Sequence, residues 1–231
     1  MKERPILAAL CLAFGVAMAG YFVGNGILRH NQTSKIAVKG LAEREVPASV
    51  AIWTLSYSVS GNELAELNTK LGEGAVAVQD FLKGAGFGDT DIALQPPSIR
   101  DHSMETRDKD AQAPAARFSA SQSVLLRTQK VEAVKPAVSA TSALMQKGVL
   151  LGGISEPRFY FEDLNSVKPG MIEEATKNAR VAGEQFARDS NTKLGRLLNA
   201  TQGRFSIDDR DAATAERKIV RVVVEVEYEI E

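Results

Sequence analysis

The chain has 231 residues, enough for one good-sized domain or two small ones, and its 44% hydrophobic and 25% charged content is that of a globular protein. With 28 Lys and Arg against 29 Asp and Glu, its formal net charge is −1, so it lacks the basic field that nucleic-acid binding uses, and nucleic acid is not an expected partner. The one cysteine, Cys11, lies in an apolar N-terminal run, which excludes an intramolecular disulfide and leaves the body of the chain without thiol chemistry.

Lys2 and Arg4 precede an uncharged stretch from Pro5 to Leu28. As a helix it would be roughly 36 Å long, against about 30 Å for the hydrocarbon core of a bilayer. A cleaved signal peptide is the competing reading, with Ala17, Met18 and Ala19 as an A-x-A site before Gly20. Both readings export the rest of the chain. The uncleaved inner-membrane anchor is favoured because apolar character continues through Tyr21, Phe22, Val23, Ile27 and Leu28. Basic residues ahead of the span favour a cytoplasmic N-terminus, a bias that Arg29 and Lys35 weaken without reversing. Gly20 and Gly24 form a G-x-x-x-G pair that could pack two anchors together, or are ordinary glycine content near a membrane exit. Residues 1–34 are therefore an anchor or signal segment with a short linker, and 35–231 the exported body.

In that body, Lys35–Gly40 reads as a small strand ended by its glycine, and Ala48–Val59, rich in β-formers, as a longer one. Leu64, Leu67, Leu71, Ala75, Val78 and Leu82 keep helical spacing up to Gly86, a C-terminal cap. Gly72 and Gly74 inside this helix cost about 1 kcal/mol each relative to alanine, unless close packing compensates. Asp91–Arg100 and Arg117–Arg127 read as two strands around a charged flap at about 101–116. A helix is expected over Val131–Lys147, with Pro136 tolerable in its first turn and Gly148 as its cap. Leu151–Phe161 is the next strand.

From Met171 the chain forms an amphipathic helix with Ile172, Ala175, Ala179, Ala182 and Phe186 on its apolar face, three of them alanines that let it lie close to a sheet. Leu194–Phe205 could be a strand. Lys218–Ile230 is the clearest one, with Val220, Val222, Val224, Val226, Tyr228 and Ile230 on one face and Arg221, Glu225, Glu227 and Glu229 on the other. Ala48–Glu162 follows the β-α-β-β-α-β order of a ferredoxin-like unit, and the remaining elements would extend or partner its sheet. The fold class is α+β, with mixed or antiparallel sheets and about three helices behind the N-terminal apolar one.

In its order of elements the chain resembles the SIMPL-domain family of bacterial envelope proteins. The resemblance rests on Val38, Gly40, Ala42, Val46, Ala48 and Trp53, the helix end at Phe81, Leu82 and Gly86, and the strand with Phe159 and Phe161. It continues through Ala175, Asn178, Ala179 and Ala182, then Leu194, Gly195 and Gly203, and the valine-rich last strand, covering roughly Lys35 to Glu231. No single motif is specific; their order is the evidence. The resemblance implies a periplasmic or extracytoplasmic protein, sometimes linked to oxidative-stress defence, with at least one relative forming large ring-like or channel-like oligomers. The family has no established catalytic residues, so the residues carried over, Gly40, Trp53, Gly86, Ala175, Asn178, Ala179, Ala182, Gly195 and Gly203, are structural, and no cofactor is implied.

Motifs that would carry chemistry are few. Gly84, Gly86 and Gly88 make a G-x-G-x-G, but after a helix rather than between a strand and a helix, as a cap would and a dinucleotide site would not. His102 with Asp101, Glu105, Asp108 and Asp110 could hold a divalent cation, but a solvated charged loop is the better account. His30, the other histidine, sits in the linker, and no G-x-S-x-G nucleophile motif is present. Trp53 and Tyr57 share a strand face that could stack on a ligand or belong to the core; Asp208, Asp209 and Asp211 beside Arg210 read as a hairpin tip. The expectation is a non-enzymatic envelope protein that forms homo-oligomers and acts in oxidative or envelope stress defence. The alternative is a small-ligand-binding module or a hydrolase with an unidentified carboxylate site.

Overall fold

Two strands with strict alternation organise the chain, and the computed structural model describes residues 13–21, 34–104, 116–152 and 156–231 around them. Five helices and nine strands are described: α1 (residues 13–21), β1 (Lys35–Pro47), β2 (Val50–Gly61), α2 (Leu64–Gly84), β3 (Ile92–Leu94), β4 (Ser98–Asp101), β5 (Phe118–Thr128), α3 (Val131–Ser139), α4 (Ser142–Gln146), β6 (Arg158–Tyr160), α5 (Leu164–Asp189), β7 (Leu194–Gln202), β8 (Ser206–Asp209) and β9 (Arg217–Ile230). They form an α+β fold with two antiparallel sheets, one in the order β1-β9-β7 with β8 also on β9, the other in the order β3-β5-β2-β6 with β4 also on β5. Contacts divide the chain into two units, one of Arg44–Val167 and Ser206–Val220, the other of Lys168–Phe205, Arg221–Glu231 and the chain up to Glu43.

In the first of these units, β2 buries Ala51, Trp53, Leu55 and Tyr57, and the antiparallel register sets Trp53 opposite Leu126 and Leu55 opposite Val124. Leu67, Leu71, Ala75, Val78 and Leu82 of α2 close over that face, together with Val131, Val134 and Ala137 of α3 and Leu144 of α4. Burial of each of these large side chains contributes about 1.5–3 kcal/mol. The strand order with its helices on one face is that of a ferredoxin-like unit, as the element order implies. Gly74 lies against Tyr57: a Cβ there would stand 2.5 Å from Cε2 of the ring, so close packing does compensate for this glycine, whereas a Cβ on Gly72 would meet nothing within 4 Å.

The face of this sheet away from the helices is lined by small hydroxyl side chains. Ser58 pairs with Ser121, and Ser121 with Ser98; Ser60 pairs with Ser119, and Ser119 with Arg100. One row away, Ser56 and Ser123 share a hydrogen bond of 2.8 Å between their hydroxyls.

In the other unit, β9 buries Val222, Val224, Val226 and Tyr228, the dry face that the sequence predicts. Helix α5 covers it with Met171, Ala175, Ala179, Gly183 and Ala187, residues four apart. This corrects the expected face: Phe186 is 50% exposed and Ala182 is exposed too. A strict four-residue spacing rotates slowly around the helix, and the row of small residues wins because it lets the backbone approach the sheet. Helix α5 also starts earlier than expected, at Leu164, running through Pro169 at the expense of one hydrogen bond.

Other boundaries differ as well. Gly40 does not end the first strand; β1 runs through it to Pro47. The single helix expected over Val131–Lys147 is two, α3 and α4, with Pro136 beyond the first turn of α3. The expected strand Asp91–Arg100 is broken into β3 and β4 around Gln95, Pro96 and Pro97. Of Leu151–Phe161, only β6 and a single bridge from Leu151 to Tyr57 are strand-like. The elements outside the ferredoxin-like unit form a sheet of their own rather than extending its sheet.

Candidate functional site

Strand β7 is the outer strand of its sheet, paired with β9 on one side. The register shifts twice between Leu194 and Asn199, then runs regularly from Asn199 to Gln202. Every residue from Arg196 to Gln202 is exposed, including Leu197 at 51% and Leu198 at 37%. A strand has two faces, so two adjacent leucines cannot both point to one core; the Leu197–Leu198 pair was a readable signal of an exposed apolar strand.

Beside β7, between it and α5, lies a groove of about 990 Å³. Its apolar part is Leu194, Leu197, Ala187 and Tyr228; its cations are Lys177, Arg180, Arg188, Lys193 and Arg196, against Glu173 and Glu184. Arg180 pairs with Glu184 at 3.1 Å and Arg196 with Glu229 at 2.9 Å. An open backbone edge next to an apolar strip with a cationic rim suits the addition of an extended segment, in which main-chain hydrogen bonds supply affinity and side-chain pockets supply selectivity.

In the ferredoxin-like unit, a second groove of about 900 Å³ is lined by Glu156 to Phe161 with Ile207, Asp209, Ala212, Ala215 and Lys218. The Lys218 side chain is only 8% exposed, and its ammonium is held by the Asp209 carboxylate. Asp211, just past β8, accepts from the Thr214 hydroxyl at 2.5 Å and from the backbone N–H groups of Ala213 and Thr214. The Thr214 hydroxyl first, and then Arg210, hold the Asp211 carboxyl down at about 2. Asp208 and Asp209 belong to β8 itself, so the expected hairpin tip starts two residues later, at Arg210 and Asp211.

Several of the residues singled out in the sequence, Gly40, Ala175, Ala179, Gly195 and Gly203, lie at points of close approach. A Cβ on Gly40 would collide with the carbonyl oxygen of Ala175 and the amide nitrogen of Ala179, and would lie 2.8 Å from the Ala179 Cβ. Asn178 donates from Nδ2 to the Leu41 carbonyl at 2.8 Å, tying the same helix to the same strand. Ala182 takes no part in this seam. Gly195 lies against Glu229, where a Cβ would be 3.1 Å from its carbonyl oxygen, and Gly203 donates its N–H to the Val223 carbonyl at 2.8 Å. Gly86 has φ +92 and follows the last turn of α2, with the Phe87 N–H reaching the Leu82 carbonyl at 3.2 Å, a glycine cap of the expected kind. Gly148 ends α4 in the same way, at φ +79.

Trp53 and Tyr57 are core residues, 2% and 1% exposed. The Tyr57 hydroxyl lies 2.8 Å from the Leu71 carbonyl and 2.7 Å from Gln122 Oε1, and burial pushes its pKa up to about 12. His102 hydrogen-bonds the Ser119 hydroxyl at 2.9 Å through Nε2. Asp101 is engaged by Arg117 at 3.0 Å, which with the Ser103 contacts brings its carboxyl down to about 2. Among the described residues no three His, Cys, Asp or Glu side chains gather as a metal site; Glu105, Asp108 and Asp110 of the expected cluster, like most of the flap, lie outside the described residues. The same holds for most of the anchor at residues 5–28, including Cys11 and Gly24, and for His30. Among the described residues no helix is long and apolar enough to cross a membrane.

Residues 36–228, which take in all or nearly all of every strand from β1 to β9, match the family model SIMPL, described as a protein of unknown function (DUF541). The chain belongs to the SIMPL family. Compared with curated proteins, it finds no match. Membership in the SIMPL family assigns no reaction to either groove.

Proposed function

We propose that this SIMPL protein is an exported, non-enzymatic component of the cell envelope that works by docking with copies of itself through the outer edge of β7. The observation that carries the reading is the run Leu197-Leu198-Asn199-Ala200-Thr201-Gln202, which is uncharged, free of proline and exposed throughout on an outer strand. Such an edge presents unpaired N–H and C=O groups and is a template for another strand. Export, whether with a retained inner-membrane anchor and a cytoplasmic N-terminus or with a cleaved leader, rests on the apolar stretch of residues 5–28. A setting in oxidative or envelope stress defence rests on the family resemblance.

Light scattering on the full chain, extracted in detergent and read over a wide concentration range, tests the docking. The expected result is a mass well above the 24.9 kDa of one chain, falling to that of one chain when Leu197 and Leu198 are both changed to Lys. A single-chain mass at every concentration refutes the reading. Fractionation and sequencing of the mature N-terminus test export and cleavage.

A further inference from the structure

The groove between α5 and β7 carries charge that its surroundings do not neutralise. Of its cations, Arg180 is taken by Glu184 and Arg196 by Glu229. Among the described residues the ammonium groups of Lys177 and Lys193 have no ion-pair or hydrogen-bond partner, and the Arg188 guanidinium donates to the neutral Gln185 amide oxygen at 2.6 Å. Against these three stands Glu173, the lining acid outside the two pairs. A second observation lies on the floor. Tyr228 is 6% exposed, yet among the described residues its hydroxyl has no hydrogen-bond partner and is not sealed in the core, so it opens into the groove that Tyr228 lines. A buried tyrosine ordinarily finds its O–H a partner, as the Tyr57 hydroxyl does in Leu71 and Gln122.

We propose that this groove binds an acidic, extended segment of a different protein, with two acids four residues apart and an apolar residue between them. The groove follows α5 from Glu173 to Arg188, roughly 22 Å, the length of six or seven extended residues and too long for one small anion. Its free cations stand toward two ends: Lys177 on one side, Arg188 with Lys193 on the other, the helix positions roughly 16 Å apart along the axis. Acids at the proposed spacing share one face of an extended chain and lie roughly 13 Å apart, a difference that the long basic side chains absorb. Gly183, which lies against Leu194 and the Tyr228 ring, falls midway between Lys177 and Arg188. The central residue of the segment therefore meets Leu194 and Leu197, and its backbone carbonyl can accept from the Tyr228 hydroxyl. The two longest outer strands of this chain do not offer such a segment: Leu197–Gln202 is uncharged, and Glu43 and Glu45 of β1 are engaged by Arg221 and Arg210. The inference goes beyond self-docking, which uses the backbone edge of β7, and it needs no second copy of the chain.

The test is a fluorescence anisotropy titration of the full chain, extracted in a nonionic detergent, against a labelled nine-residue peptide with glutamate at its third and seventh positions, leucine at its fifth and threonine elsewhere. A control peptide has glutamine in place of both glutamates, and a fluorescent twelve-carbon carboxylate is the third probe. Saturable binding of the glutamate peptide is expected, with the glutamine control about tenfold weaker, as loss of two exposed charge pairs allows. Lys177→Gln combined with Arg188→Gln, both at exposed positions, should bring the glutamate peptide down to the level of that control. Tyr228→Phe keeps the ring and removes the hydroxyl, and should weaken binding about threefold to tenfold. Unfolding midpoints of the variants report whether the fold is retained. Equal binding of the two peptides, or variants that stay folded and bind the glutamate peptide as the wild type does, overturn the proposal; so does saturation by the carboxylate with no binding of the peptide, which would assign the groove to an amphiphile. Light scattering on the same samples reads assembly separately: a chain that binds the peptide but stays single fails only the self-docking reading, and one that assembles but leaves the peptide unbound fails this one.

Discussion

Gly40→Ala should be the most damaging single-methyl change in the chain. Helix α5 lies so close to β1 that the new Cβ meets the backbone of Ala175 and Ala179, and neither a carbonyl oxygen nor an amide nitrogen can swing aside as the end of a flexible side chain can. The Ala179 Cβ, at 2.8 Å, must retreat by about half an ångström or more to reach ordinary contact, and the backbone atoms by more. A gap of that size forfeits about a quarter to a half of each dispersion contact along the seam, and it lengthens the hydrogen bond from Asn178 to Leu41. Overpacking against an immovable backbone then costs about 3 kcal/mol or more, which for a chain of this length lowers Tm by about 6–12 °C. Urea and thermal unfolding of the full chain, followed by circular dichroism, measure it. A midpoint within error of the wild type would show that α5 is not seated on Gly40, and the account of this unit would fail with it.

The two glycines of α2 should separate under the same assay. Gly72→Ala faces open space and should stabilise by up to about 1 kcal/mol, whereas Gly74→Ala meets the Tyr57 ring and should destabilise by about 1–3 kcal/mol; equal signs would refute the packing argument. Asp211, depressed to about 2 from an ordinary value of about 3.9, contributes stability that is complete above pH 4 and is lost as pH falls through 2. Asp211→Ala should therefore flatten the acid limb of the stability curve in that window while leaving its shape above pH 5 unchanged. For the Lys218–Asp209 pair, Asp209→Ala leaves a buried ammonium without its carboxylate, and Lys218→Met leaves a half-exposed carboxylate that water can solvate. The first should cost clearly more than the second in denaturant unfolding, and the reverse order would mean that Lys218 is hydrated in solution.

How far the sequence could be read depended on whether a signal was local. Strand β9 alternates over its whole length and α2 keeps its leucines in step, so both were legible, as were the glycine caps at Gly86 and Gly148, where a positive φ follows directly from the residue type. Two kinds of feature were not. Close approach between distant segments leaves no periodic trace: Gly40 reads locally as a strand terminator, and only the presence of Ala175 and Ala179 above it explains why the strand continues. The buried face of helix α5 is illegible for the same reason, because after Met171 its buried row is made of alanine and glycine while the bulkier Phe186, the natural anchor of an apolar face, is exposed. The serine rows had a period of two in plain view, at 56, 58 and 60 and again at 119, 121 and 123. Serine is weighed as a loop residue, and the cross-strand register of the two rows exists only once β2 and β5 pair.

The edges of the two sheets differ in a way that bears on which of them docks. At one margin of the ferredoxin-like unit, β3 and β4 are three and four residues long and are separated by Pro96 and Pro97, and at the other β6 has three residues. Short strands and prolines are the means by which sheets discourage pairing with a neighbour. Strand β1 carries Lys35, Lys39, Glu43, Arg44 and Glu45 along its length, and charge on an edge acts in the same direction. The first part of β7 is also guarded, by Lys193 just ahead of it, by Arg196 and by two register shifts. The charges stop at Leu197, and from Asn199 to Gln202 the register is regular as well. If β7 were simply an unprotected edge, nothing would require its neighbours to be so thoroughly blunted; protection everywhere else channels pairing to one six-residue run. Placing a single lysine at Ala200 should therefore reduce the assembled mass without lowering the unfolding midpoint, since the side chain is exposed in the single chain. A drop in stability to match the drop in mass would instead mean that β7 holds its own unit together and is not the docking edge.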